Sequence, residues 1–269
     1  MSIIKLKVLD RDGRTLAAAP PGESVTLVYG GCYQPGDWIA LESDGTELFC
    51  QIQLEDSMPP AVVYLPDGSL QYHIPPAEDR SNYSPKSFTG PVHVLQARVL
   101  EKAELQTRRN LALNPYDGHD STGFFPHAKA NIETRGEAVF AARNAIDGVF
   151  VNWSHGKWPY QSWGINQDPN AEFRLDFGRP VLVDELRLTL RADFPHDSWW
   201  EEGTVIFSDG SRETLRLEKA GTPQAFPIEP RKVESLILKD LKKAPDLSPF
   251  PALTQLEVYG TEIFDKETI

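Results

Sequence analysis

Apolar and polar residues alternate at a period of two along most of this chain. Ile4, Leu6 and Val8 are interleaved with Lys5 and Lys7. Phe173, Leu175 and Phe177 share one face, and Leu186, Leu188 and Leu190 repeat the pattern. Such alternation marks half-buried antiparallel strands. In the first half it predicts strands near 3–9, 14–18, 24–30, 37–42, 47–54, 61–65, 69–74 and 91–101. Asp-Gly pairs at Asp12-Gly13, Asp44-Gly45, Asp67-Gly68 and Asp209-Gly210 predict short hairpins between flanking strands. No helical period persists. The best helical stretch is Glu137 to Ile146, a turn or two built on Ala138, Ala141, Ala142 and Ala145. The Pro-rich stretch 75–90 predicts a long exposed loop.

Short strands at close spacing, punctuated by 22 prolines and 19 glycines, point to an all-β protein. At 269 residues the chain is long enough for two domains. The strand pattern restarts after a charged segment, which sets expected boundaries of 1–108, 109–262 and a tail 263–269. The expected fold is two β-sandwich or jelly-roll domains.

Charge narrows the function classes. Lys and Arg total 27 against 39 Asp and Glu, a net charge of -12. Nucleic-acid binding needs clustered cations, and neither half offers a basic face. An anionic membrane surface is disfavoured on the same ground. The N-terminal residues read as a strand, with no apolar core or cleavage site of a leader, so the expected compartment is cytoplasmic. Cys32 and Cys50 are then expected as free, buried thiols. No Cys/His spacing resembles a zinc site, and no Gly-x-Ser-x-Gly elbow, His-Glu-x-x-His or phosphate loop occurs.

Five of the six tryptophans, Trp153, Trp158, Trp163, Trp199 and Trp200, fall between 153 and 200. They sit in two polar, loop-like segments. One contains His155 and Trp158. The other runs from Arg191 through Asp193, His196 and Asp197 to Trp199, directly after a strand ending at Leu190. Sugars are bound by such mixtures: an aromatic face packs on the C–H face of the ring, while Arg, His and Asp hydrogen-bond to hydroxyls. The plain alternative is a loop network whose members satisfy one another.

Four segments in order resemble the discoidin, or coagulation factor 5/8 type C, group of galactose-binding-like domains. They are Asn110-Leu111-Ala112, Asn144-Ala145-Ile146-Asp147-Gly148 with Trp153, Phe173-Arg174-Leu175-Asp176-Phe177-Gly178, and Leu256-Glu257-Val258-Tyr259-Gly260. The resemblance implies an eight-stranded jelly roll with ligand loops at one end. It implies that Trp153 packs inside. It also implies a structural calcium on Asp147 and Glu257, although Val149-Phe150-Val151 replace the usual polar loop residues. The first half carries no comparable motif.

The expected function is a non-catalytic carbohydrate-binding protein, not an enzyme. Its expected ligand residues are Arg191, Asp193, His196, Asp197, Trp199, Trp158 and His155. The rival readings are a protein-interaction scaffold, with a protein partner or a second copy of the chain, and a sugar-processing enzyme whose site lies between the domains.

Overall fold

The computed structural model describes residues 2–119, 121, 123–192 and 198–264. Eight strands fill the first half: β1 (Ile4–Leu9), β2 (Thr15–Ala18), β3 (Ser24–Tyr29), β4 (Trp38–Ser43), β5 (Leu48–Gln53), β6 (Ala61–Leu65), β7 (Ser69–His73) and β8 (His93–Val99). They form two antiparallel sheets, ordered β2-β1-β4-β7 and β3-β8-β5-β6. In β3, Val25, Leu27 and Tyr29 are buried while Ser24, Thr26 and Val28 are exposed. One face of each sheet thus turns to a shared core that includes Leu6, Leu41, Ile52 and Leu95.

Two of the four Asp-Gly pairs make hairpins. Asp12-Gly13 joins the paired strands β1 and β2. Asp209-Gly210 joins β13 (Trp200–Phe207) to β14 (Arg212–Arg216). The other two pairs carry the chain from one sheet to the other, between β4 and β5 and between β6 and β7. These crossing turns lie against each other. Ser43 N donates to the Gly68 carbonyl at 2.8 Å. A Cβ on Gly68, which has φ +65°, would meet the Gly45 carbonyl oxygen at 1.8 Å. Glycine here serves close backbone approach, so the dipeptide alone does not specify a hairpin.

After α1 (Lys102–Leu105) come β9 (Arg109–Asn110), β10 (His127–Ala130), β11 (Trp163–Gly164), β12 (Phe173–Leu190), then β13 and β14, β15 (Gln224–Lys243) and β16 (Ala252–Glu262). One antiparallel sheet runs β11-β16-β12-β15-β13-β14, with β10 on β12 and β9 on β16. β12 is 18 residues long. Its ladder to β15 lapses between Asp176 and Val181. Before that lapse β12 pairs with β10, and after it with β16. The change of partner folds the sheet around one core, in which Trp163, Phe173, Trp200 and Leu256 are buried. The protein is therefore all-β, with sandwich packing.

The segment 137–146 forms two 3₁₀ turns, Ala138–Phe140 and Ala142–Ile146, with Ala141 extended between them. In an α-helix Ala142 N would donate to the Ala138 carbonyl. Here it donates to Glu133 Oε1 at 2.7 Å, and the Ala138 carbonyl accepts from Asn144 Nδ2 at 2.9 Å. Side chains have taken over the backbone pairing.

The two cores are knitted together. Tyr116 and Phe124 follow residue 108, yet both belong to the first core. Tyr116 Oη donates to the Pro59 carbonyl at 3.0 Å. Arg143 lies 4.7 Å over the Tyr83 ring and donates to the Asp117 carbonyl at 2.6 Å. Phe125 exchanges backbone bonds of 2.9 and 3.0 Å with Tyr64. Both cysteines are free, but Cys32 is exposed and only Cys50 is buried. The expectation of two buried thiols fails because Cys32 stands in the turn after β3, beyond the sheet. Among the described residues, no helix is long and apolar enough to cross a membrane.

Candidate functional site

At one end of the second sandwich the C-terminal end of β12 meets the start of β16 and β11. Leu190 and Trp163 both pair with Leu253 there. A cleft of about 250 Å³ opens at this point. Arg191, the first residue beyond β12, lines it and is only 2% exposed. Its backbone N donates to the Ala252 carbonyl at 2.9 Å. Its Nη1 donates to the Tyr160 carbonyl at 2.7 Å. The same side chain therefore ties the strand end to the loop 149–162. That loop is closed by Trp153 N donating to the Pro159 carbonyl at 2.9 Å.

Phe140, Ile165, Phe250 and Pro251 supply apolar walls, and Thr134, Arg135, His155, Asn166 and Gln167 supply polar groups. Arg135 lies 5.7 Å over Phe140 and is held by Glu137 at 2.7 Å. Apolar faces with a few convergent donors are the general form of a small-ligand site. The backbone here is unusual. Six described non-glycine residues have positive φ, and three of them line this cleft: Arg135 at 54°, Asn166 at 49° and Gln167 at 60°. Left-handed backbone at a non-glycine residue costs on the order of 1 kcal/mol or more and concentrates at binding sites. Asn166 is held in place by its N donating to Thr134 Oγ1 at 2.9 Å.

The residues singled out from the sequence separate. Arg191 and His155 reach the cleft. Asp193, His196 and Asp197 lie outside the described residues. Trp158 is half-buried in the loop, and Trp199 is half-buried against the second core. Neither is among the described residues lining the cleft. Trp163 and Trp200 are core, with Trp163 Nε1 donating to the Ile132 carbonyl at 3.0 Å. Trp153 overturns the expectation that it packs inside: it is 75% exposed. With Val151 at 61% it forms an apolar loop tip, which accounts for the loss of polar residues there.

Sequence reading missed Arg135, Phe140, Asn166, Gln167 and Phe250. Phe250 had a signal, since it stands between Pro249 and Pro251 in a segment that cannot join a ladder. The others come from separate turns, and only the tertiary fold unites them.

The residues at the implied calcium position do not fit the ion. β16 offers Gln255 to Asp147, whereas Glu257 Oε1 accepts from Tyr259 Oη at 2.9 Å. Asp147 Oδ1 accepts from Val149 N at 2.8 Å and Gln255 Nε2 at 2.7 Å, and Oδ2 accepts from Gln161 Nε2 at 3.0 Å. A calcium site needs oxygens converging on a cation; this carboxylate is ringed by N–H donors. Burial pushes the Asp147 carboxyl up to about 6, against the pull of Arg143 and these three bonds. Among the described residues, no group of three His, Cys, Asp or Glu could hold a metal.

Two other hollows matter. A basin of about 400 Å³ adjoins the cleft, and Ile165, Gln167 and Pro251 wall both. Trp200 borders this basin, and among the described residues its buried Nε1 has no acceptor. A further cleft of about 360 Å³ is bordered by Tyr72, Tyr83, His119 and Arg143. The nearby Asp117 carboxylate is committed to His127 Nδ1 at 2.7 Å and Ala128 N at 2.8 Å.

No protein-family model and no curated protein matches the chain. Solved structures similar to it include carbohydrate-binding modules and a lectin domain. Chitosan-binding module 1 from a chitosanase/glucanase of Paenibacillus sp. IK-5 is 19% identical, with a TM-score of 0.40, covering 56% of this chain and 99% of that one. A Streptococcus pneumoniae fucose binding module, SpX-3, is 13% identical, with a TM-score of 0.42, covering 57% and 99%. The family 32 module of C. perfringens NanJ, solved with galactose, is 17% identical, with a TM-score of 0.38, covering 49% and 91%.

Proposed function

We propose that this chain is a non-catalytic carbohydrate-binding protein that takes a sugar into the cleft at the end of β12. One observation carries the reading. Three left-handed non-glycine residues, Arg135, Asn166 and Gln167, converge on a cleft that also holds Arg191, His155 and the Phe140 and Phe250 rings. Strained backbone is held there by the surrounding fold, and it sets amide and guanidinium donors beside apolar faces. A sugar presents both surfaces, C–H faces and hydroxyl edges. Asp193, His196 and Asp197, directly after Arg191 in the chain, complete the proposed set of ligand residues.

An open cleft of this volume favours weak binding, with Kd about 0.1–1 mM, equivalent to about 4–5.5 kcal/mol. The test is a glycan array probed with the full chain, since Tyr116 and Phe124 make the first domain part of the fold. Binding that is lost in Arg191→Ala and reduced in His155→Ala supports the proposal. Absence of any glycan signal contradicts it.

The exposed Val151 and Trp153 tip favours a second reading, in which that loop docks a protein. A Trp153→Ser variant separates the two. Glycan binding in the cleft should survive it, whereas a protein contact centred on the tip should not.

A further inference from the structure

We infer that the site takes a chain of sugar units, not a single one, with a second subsite in the basin bounded by Trp200 and Leu247. The inference rests on the cleft being a sugar site, and it extends that site. The cleft and the basin are not separate hollows, because Ile165, Gln167 and Pro251 stand in the wall of both. A ligand filling the cleft beside Arg191 can continue past Pro251 without leaving the surface. Gln167, whose φ is 60°, stands at the junction of the two.

The basin has its own ligand chemistry. Trp200, a fully buried core residue, forms part of its floor. Its wall is polar: Lys243 Nζ donates to the Ala244 and Asp246 carbonyls and to Asp246 Oδ1, each at 2.9 Å, and Asp168 also lines it. Two carboxylates against one committed ammonium disfavour an anion and leave carboxylate oxygens to accept from ligand hydroxyls. The rim is apolar. Leu247 is fully exposed and Phe250 is 42% exposed, one bordering the basin and the other the cleft. Two exposed apolar side chains three residues apart, each over its own hollow, offer successive platforms for the C–H faces of successive rings.

The experiment is calorimetry on the full chain with free galactose, fucose and glucosamine, and with β-linked tetrasaccharides of galactose and of glucosamine. A tetrasaccharide should bind at least tenfold tighter than its own monosaccharide. Leu247→Asp and Ser248→Trp each alter the basin at positions outside both cores. Each should bring the tetrasaccharide affinity down about tenfold, towards that of the monosaccharide, and leave monosaccharide binding unchanged. Equal affinity for tetrasaccharide and monosaccharide would overturn the second subsite while leaving the cleft as a sugar site. Binding of neither would overturn both.

Discussion

Arg191 Nη1 donates to the Tyr160 carbonyl at 2.7 Å, joining the end of β12 to the loop that carries Trp153 and His155. The bond makes a buried side chain both a wall of the cleft and a fastening for one of its lips. Arg191→Ala is therefore expected to act twice. Loss of a charge-assisted hydrogen bond costs about 1.5–3 kcal/mol. Thermal unfolding should show a lowered Tm, and hydrogen exchange should quicken over 153–160. Arg191→Lys should keep the charge without the fork and recover part of the Tm. Unchanged exchange in the loop would show that Arg191 does not fasten it.

The Asp147 cradle makes an opposite pair of demands. Asp147→Ala leaves the Gln161 and Gln255 amides and the Val149 N–H without their shared acceptor. Orphaned buried donors cost about 1–3 kcal/mol each, so a Tm loss of many degrees is expected by calorimetry. Calcium or a chelator should leave the wild-type Tm unmoved. A rise in Tm on adding millimolar calcium would show that the cradle rearranges to take the ion.

Stability should also depend on pH through Glu55, which is 1% exposed. Burial and its neighbour Asp56 raise the carboxyl to about 7, while His93 Nδ1 stands 3.5 Å away. A carboxyl whose folded pKa lies above its ordinary 4.5 holds a proton in the folded state that the unfolded chain releases. Its contribution is complete at low pH and is lost as pH rises from 4.5 through about 7. His127, raised by its bond to Asp117, acts in the same direction above its ordinary 6.5. His93, lowered by burial, opposes both below 6.5. Tm should fall between pH 5.5 and 8, and Glu55→Gln should flatten that fall. An unchanged slope in the variant would assign the dependence elsewhere.

Tyr116 reaches from the second half of the chain into the first core. It is fully buried in the first core, with its ring edge-on to Tyr72 at 5.8 Å. Tyr116→Ala should cost about 3–5 kcal/mol, as large aromatic truncations do. Differential scanning calorimetry of the wild type should show one transition. Two well-separated transitions would show that the shared packing does not join the halves.

Much of the fold was legible because period-two alternation reports directly which face of a strand is buried. Ile4, Leu6 and Val8 are all buried, as their spacing predicts. The sheet crossings at Asp44-Gly45 and Asp67-Gly68 were not legible, since a turn's residues report its backbone angles and not which strands it pairs. At the site, Arg191 was found by its position after a strand. Asn166 and Gln167 were not, because Asn tolerates the left-handed region in any turn and Gln carries no mark of it, so neither points to a cleft. Trp153 was misplaced because tryptophan serves core and surface alike, and its exposure is decided by the loop around it.

Amide chemical-shift mapping locates the bound sugar. The full chain, labelled with nitrogen-15, would be titrated with the tightest sugar from the array. With the sugar in the cleft, the shifts should gather on His155, Asn166, Gln167, Arg191 and Ala252. Shifts gathered on Tyr83, His119 and Arg143, or on Val151 and Trp153 alone, would contradict that placement.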